Sequence, residues 1–202
     1  SLSGGGDDDC KRHIERQCTR RLKADIDGSV GRAITIGDDD AYCFPRGHGC
    51  RHGLSTRAVT KGDDVRDWSI SASEELIFPY DNDLRPFATP EVHHFLWPLK
   101  QRLELRVVSG STTMREAGRV WFDLRRVSRE KLRSAMCITF PRLATHNQFA
   151  LGLDPELFKD SAPVFNLPPG SSEDDHFAIL GWLNSSAACF WLKLMSRDKG
   201  SG

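Results

Sequence analysis

The clearest periodic pattern of apolar residues begins near the middle of the chain. Thr89, Pro90 and Glu91 supply a hydroxyl cap, a first-turn proline and an acid suited to the start of a helix. The apolar positions that follow recur at intervals of three and four, namely Val92, Phe95, Leu96, Leu99 and Leu103. Pro98 interrupts this stripe and cannot donate a backbone hydrogen bond. The pattern therefore predicts a kinked central helix.

Short strands and a second apolar helix are predicted in the last third. Residues 136–140, 149–153 and 164–167 have the composition of strands. A helix is predicted to open at Ser172, with Asp175 as its capping-box partner, and it is apolar on all sides through position 194, so it should be buried. These elements predict an α+β fold. Its short-stranded sheet, mixed or mainly antiparallel, is packed by the kinked central helix and a buried C-terminal helix.

The first quarter of the chain has a weaker pattern. Residues 8–24 have helical composition, with apolar side chains four residues apart. Residues 33–36 and 41–44 predict a hairpin closed by an acidic turn, and a loop rich in Gly, His, Cys and Arg follows at 45–53.

These patterns suggest three parts. Residues 1–56 form an N-terminal helix, hairpin and basic loop, residues 57–197 form the main domain, and residues 198–202 form a flexible tail.

Composition changes the picture mainly through the placement of charge. The 202 residues are 39% hydrophobic and 28% charged, as in an ordinary globular domain, and the formal net charge is zero. Basic residues are nevertheless segregated, because the segment 100–133 holds ten of them against four acids. Phosphate binding requires a basic face rather than a basic total. The sequence is therefore compatible with a nucleic-acid partner.

The cellular compartment is predicted from cysteine usage and from the missing targeting signals. Six cysteines are scattered without a framework, which favours a reducing cytoplasm. The start of the chain lacks the charged-then-apolar run of a signal peptide. The apolar stretch 177–195 carries Asn and Ser at its centre, so no membrane span is expected.

Residues capable of catalysis or metal binding do not form a convincing pattern. Cys43, His48, Cys50 and His52 are spaced too tightly for a zinc finger, and no second ligand pair follows. Cys137 with His146 and Asn147 could imitate a cysteine protease, but nothing in the pattern supports a nucleophile. A nuclease would need clustered carboxylates with a lysine to hold metal and water, but the only Asp-x-Lys string, at 9–11, has no upstream acid partner in a strand. We predict no catalytic residue and no metal site.

Several short phrases occur in a fixed order along the chain. In the last third they are THNQF at 145–149, FKDSAPV at 158–164 and LGWLNSS at 180–186. Upstream they are KGDDVRDW at 61–68, FPYD at 78–81 and GRVWF at 118–122. The ordered set, within residues 57–193, resembles the C-terminal target-recognition region of large adenine-specific DNA methyltransferases. Among these enzymes, the set most resembles the PglX type of the BREX (phage growth limitation) defence systems. It also has a more distant likeness to TaqI-like specificity domains.

The resemblance implies a domain that docks on duplex DNA and selects the sequence whose adenine a separate catalytic domain methylates at N6. It implies S-adenosylmethionine as the cofactor of the parent enzyme, with none bound by this segment. The implied partners are double-stranded DNA, the chain's own methyltransferase catalytic domain and other BREX proteins, with no membrane. A catalytic loop of the Asn-Pro-Pro-Tyr type is missing, since NLPPG at 166–170 has an inserted residue and no aromatic. We therefore expect no methyl transfer from this segment alone.

Arginine is the side chain best suited to such an interface, because it pairs bidentately with phosphate and with guanine edges. The candidate DNA contacts are Arg46, Arg51, Arg57, Arg115, Arg119, Arg125, Arg126, Arg129, His146 and Asn147. His146 and Asn147 could instead fix a loop. Trp121 is expected to anchor the core, and Arg66 to pair with its acidic neighbours.

Two rival functions stay open. One is a protein-interaction scaffold whose basic surface binds an acidic protein. The other is a free-standing hydrolase that uses His146.

Overall fold

The structure, a computed structural model, describes residues 7–19 and 21–195. These residues contain seven short α-helices and fourteen short strands. The helices are α1 (Asp7–Gln17), α2 (Asp39–Tyr42), α3 (Pro90–Leu96), α4 (Lys100–Glu104), α5 (Arg129–Leu132), α6 (Glu173–Leu183) and α7 (Ser186–Met195). The strands are β1 (Asp27–Gly31), β2 (Ile34–Thr35), β3 (Cys43–Pro45), β4 (Thr56–Thr60), β5 (Val65–Arg66), β6 (Ser69–Ile70), β7 (Glu74–Ile77), β8 (Val107–Ser109), β9 (Thr112–Thr113), β10 (Arg126–Val127), β11 (Met136–Thr139), β12 (Ala150–Leu153), β13 (Leu157–Phe158) and β14 (Val164–Asn166).

Two four-stranded sheets carry the architecture. The first has the order β1-β14-β11-β12 and is antiparallel throughout. The second has the order β13-β4-β7-β3 and contains one parallel pair, β13 with β4. The structure also has three two-stranded sheets: β2 with β10, β5 with β6 and β8 with β9. The predicted α+β class with mainly antiparallel short strands is confirmed.

Three hydrophobic clusters hold these layers together. The largest joins the central helices to the second sheet through residues such as Leu96, Leu103 and Leu76, all fully buried. The second lies around Val65, Phe158 and Val164, and the third beneath α6. Residues from both sides of position 56 contribute to the largest cluster and to the second sheet.

The central helix is kinked as predicted. Thr89 caps α3 by accepting a hydrogen bond from the backbone nitrogen of Val92, and Pro90 occupies the first turn. A 3₁₀ turn at Trp97–Leu99, with Pro98 inside it, separates α3 from α4. Leu96 in α3 and Leu103 in α4 are both fully buried, so the apolar stripe still faces the core on both sides of the interruption.

The final helix differs from the single buried helix that was expected. The predicted capping box between Ser172 and Asp175 is present. The helix breaks after Leu183, however, and α7 departs at 64°. Phe177 and Trp182 are about half exposed, so α6 buries one side only. The break is stabilised from outside the helix, because Asn184 exchanges two hydrogen bonds of 2.9 Å with the backbone of Phe149.

The predicted hairpin at 33–44 is wrong. β2 pairs with β10 and β3 pairs with β7, while the acidic stretch between them starts helix α2. Asp39 is drawn into an ion pair with Lys159 (2.8 Å), which no local pattern reveals. The predicted helix at 8–24 is also shorter, since α1 ends at Gln17 and a 3₁₀ turn occupies Leu22–Ala24. The predicted flexible tail, 198–202, lies outside the described residues.

No single helix in the described residues is long and apolar enough to cross a membrane. Only α6 and α7 taken together, across their bend, reach that length and composition.

Gly62 offers a test of how the chain segments are joined. A Cβ at this position would lie 2.7 Å from the carbonyl oxygen of Ser161, whose hydroxyl already accepts a hydrogen bond from the Gly62 nitrogen. We expect Gly62→Ala to lower the free energy of unfolding by about 1–3 kcal/mol in urea denaturation, because the obstacle is backbone. Gly181→Ala is the control, since a Cβ on this α6 residue meets nothing within 4 Å. Equal stability of the two variants would contradict the close packing of these segments.

Candidate nucleic-acid interface

A two-stranded ribbon, β2 with β10, places arginine side chains on the protein surface. Val127 lies opposite Ile34, which is fully buried, and Arg126 lies opposite Thr35. Successive residues of a strand point to opposite faces, so Arg126 and Thr35 share the outer face. The pairing continues beyond the strands through Ser128, whose nitrogen donates to the carbonyl of Ala33 (2.8 Å).

Four exposed arginines gather at this ribbon, and we call them the basic ribbon: Arg32, Arg125, Arg126 and Arg129. Arg32 precedes Ala33 and Arg129 follows Ser128, so both arginines lie next to this hydrogen-bonded pair. Within the described residues, none of the four guanidinium groups donates a hydrogen bond or forms an ion pair. Their charges are therefore available to a ligand, and guanidinium groups pair bidentately with phosphate and with carboxylate.

Arg106, a buried residue, fixes the loop that leads into the ribbon. It is 9% exposed. Its guanidinium donates to four backbone carbonyls, those of Leu103 (3.0 Å), Ile36 (3.1 Å), Trp121 (3.2 Å) and Asp123 (2.7 Å). Buried carbonyls require such partners. One side chain thus ties α4, the end of β2 and the 121–123 loop together.

Two tyrosines close the same loop. The Tyr42 hydroxyl donates to the carbonyl of Phe122 (3.0 Å), and burial raises the pKa of Tyr42 to about 12, so the donor proton is retained. The Tyr80 hydroxyl donates to the carboxylate of Asp123 and accepts from the Leu124 nitrogen. Burial, and then the neighbouring Asp123, raise the pKa of Tyr80 as well.

Arg119 is part of this support rather than of the free surface. It donates to Asp123 Oδ2 through two nitrogens, at 3.0 and 2.6 Å, and to the carbonyls of Leu124 and Arg125 at 2.8 Å. Its guanidinium therefore sets the backbone immediately before the ribbon.

The remaining predicted arginines divide into engaged and free groups. Arg115 is ion-paired with Glu104, and Arg57 donates to the carbonyl of Pro155 (2.8 Å) while stacking on Phe78. Arg46 donates to the carbonyl of Ala72 (3.2 Å). Arg51 is exposed and has no partner among the described residues. The structure thus brings Arg125, Arg126 and Arg129 together and leaves Arg51 on a separate 3₁₀ turn.

The two polar residues predicted on the 145–149 loop have different roles. Asn147 donates its amide to the carbonyls of Leu183 (2.6 Å) and Ser185 (3.1 Å), which fixes the loop against the α6–α7 break. His146 is exposed, and its Nδ1 lies 2.7 Å from the Thr145 hydroxyl. Only His146 remains open to a ligand.

The roles that the sequence predicted for Trp121 and Arg66 within the fold are both observed. Trp121 is half-buried against the largest cluster and packs edge-on with Phe122. Arg66 donates to the carbonyls of Gly62 and Val65 and contacts Asp63 at 3.4 Å.

The groups considered for metal or nucleophilic chemistry gain no support from the described residues. No cluster of three or more potential metal ligands occurs there. Cys137 is buried, and burial raises its pKa to about 12, which is opposite to what a reactive thiolate needs.

Comparisons with known proteins show what the chain as a whole is similar to. No family model matches the chain. The chain is 34% identical over 185 residues to the adenine-specific methyltransferase PglX of Streptomyces coelicolor, and the match covers 89% of this chain. The resemblance to the PglX type is confirmed. The matched region is 15% of the length of PglX, so the chain corresponds to a small part of that relative.

A solved structure shares the fold. The type IIL restriction-modification enzyme MmeI, determined in complex with DNA, aligns with a TM-score of 0.56 over 78% of this chain and 20% of that chain. The sequence identity is 14%, so this likeness establishes the fold alone.

Sequence reasoning missed Arg32 and Arg106. Arg32 lies immediately before the stretch that was assigned to the wrong hairpin, so the sequence did not predict that it lies near β10. Arg106 sits between Leu105 and Val107, and an arginine among apolar residues after a helix is the only signal that pointed to it.

Arg106→Met tests the role of the buried guanidinium. Four carbonyls lose their donor, so we expect the free energy of unfolding to fall by about 2–4 kcal/mol in urea denaturation followed by circular dichroism. Arg129→Met removes an exposed arginine and should change stability by about 0.5 kcal/mol or less. Equal losses in the two variants would show that Arg106 does not organise the loop.

Proposed function

We propose that this chain is the duplex DNA recognition segment of an adenine-N6 DNA methyltransferase that acts in bacterial antiphage defence. The observation that carries the proposal is the similarity to PglX across 89% of the chain, in a sequence that lacks the catalytic and cofactor-binding motifs. A segment of this kind contributes binding and selection. Methyl transfer from S-adenosylmethionine then belongs to a separate catalytic domain, which is its natural partner together with other proteins of the defence system.

The basic ribbon supports the proposal on physical grounds. Arg126 lies in β10, and the backbone nitrogens of Arg125 and Ser128 donate to the carbonyls of Ile36 and Ala33. The backbone of this stretch is therefore held by pairing, so few backbone conformations are lost on binding. Phosphate contacts made by such residues position a protein on a duplex, and guanidinium groups also pair bidentately with guanine. Thr35, on the same face as Arg126, adds a short polar side chain able to contact a base edge or a phosphate.

The rival function, a scaffold that binds an acidic protein, uses the same charges. Salt dependence does not separate the two, because both interactions are electrostatic. Sequence preference does, since only readout of bases distinguishes one duplex from another of equal length.

The DNA test uses the 202-residue chain and a pool of randomised duplexes. Repeated selection should enrich one sequence, which then binds more tightly than a scrambled duplex of equal length. Arg126→Ala/Arg129→Ala should weaken binding about tenfold or more and reduce the slope of log affinity against log salt by about 2, because two phosphate contacts are lost.

Arg21→Ala/Lys23→Ala is the charge-matched control, since it removes two exposed basic residues that do not belong to the ribbon. It should leave the affinity nearly unchanged. Selection without enrichment would contradict sequence recognition. An equal effect of both double variants would contradict the ribbon as the interface.

A further inference from the structure

The β5–β6 hairpin has an unusual tip. Its two turn residues, Asp67 and Trp68, have positive φ values of 47° and 68°. Two-residue hairpin turns with both central φ positive favour sequences such as Asn-Gly, because most side chains are strained there. Asp tolerates the left-handed region, but Trp, with its bulky side chain, is not expected in it.

The Trp68 side chain is much less buried than the other large apolar side chain at a positive φ. Leu84 also has a positive φ, 59°, but its side chain is buried at 8% exposure, so packing offsets the strain. Trp68 is 54% exposed and makes no hydrogen bond or aromatic contact within the described chain. Strain without an internal benefit is typical of residues that contact a partner.

The stem beneath the tip is firmly anchored. Arg66 donates to the carbonyls of Val65 (2.7 Å) and Gly62 (3.1 Å), and the Ser69 hydroxyl donates to the Arg66 carbonyl (2.9 Å). Val65 is fully buried in the second hydrophobic cluster, and Ile70 packs against that cluster. Trp68 is therefore presented by a fixed support.

The hairpin and the basic ribbon grow from the same cluster. Ala33 belongs to it and directly follows Arg32 of the ribbon, while Leu132 packs against it and lies in α5, the helix that begins at Arg129. The hairpin and the ribbon are thus joined to one packed cluster, which fixes the tip relative to the arginines.

We propose that Trp68 stacks on bases of the duplex that the basic ribbon holds, with Asp67 keeping the hairpin tip away from phosphates. This inference rests on the proposed function. Large apolar side chains enter the base stack in several DNA-binding proteins, and an aromatic ring stacks on any base. The carboxylate of Asp67 repels phosphate but accepts hydrogen bonds from the exocyclic amines of cytosine and adenine. The tip is thus suited to bases, and the ribbon to the backbone.

The test is Trp68→Gly in the 202-residue chain, probed with the duplex enriched by selection. Glycine relieves the strain, so stability in urea should equal or exceed that of the parent chain. Affinity for the duplex should nevertheless fall about five- to a hundredfold, as expected for a lost base–aromatic stack. The salt slope should not change, because no phosphate contact is removed. Trp68→Phe should keep most of the affinity.

Trp182→Ala is the matched control, since Trp182 is 55% exposed on α6 and should not affect DNA affinity. If the parent chain binds DNA and Trp68→Gly binds equally well, the inference fails while the proposed function stands. A reduced salt slope, or lower stability of Trp68→Gly, would also overturn it. If the parent chain binds no duplex, both proposals fail.

Discussion

The burial of one guanidinium group, that of Arg106, determines how the middle of this protein is assembled. A charge removed from water is costly unless every donor finds an acceptor. Here the acceptors are carbonyls at the end of α4, after β2 and in the 121–123 loop, segments that are far apart in the chain. The loop leads directly into β10. The pairing of β10 with β2, and with it the basic ribbon, therefore depends on this buried network.

The phrases that carry the resemblance to PglX lie at structural joints. Gly62 meets Ser161, and Asn147 holds the α6–α7 break, so each contact links two phrases distant in sequence. Lys159 joins Asp39 and Glu74 across a third joint. The free arginines of the basic ribbon lie outside these phrases. These phrases thus supply contacts within the scaffold, and the basic ribbon lies outside them.

Local patterns predicted the elements whose causes are local. The cap at Thr89, the interruption at Pro98, the capping box at Ser172 and the three late strands follow from neighbouring residues. The prediction of a hairpin at 33–44 was wrong because β2 and β3 pair with strands that are distant in the chain, β10 and β7. The prediction of a single, unbroken final helix was wrong for the same reason, since Asn184 at the break accepts a hydrogen bond from the distant Phe149. The arginine-rich segment was predicted, but composition could not tell which guanidinium groups remain free.

Charge that is counted along a sequence differs from charge that a ligand can use. Of the ten basic residues in 100–133, Arg106 and Lys131 are buried, and four others are ion-paired, namely Lys100, Arg102, Arg115 and Arg119. A paired arginine gains little from phosphate, because it exchanges one anion for another. The four without a partner among the described residues all lie in 125–133. Intramolecular pairing thus confines the unpaired charge to one end of the segment, in the same part of the protein as Arg32 of the ribbon.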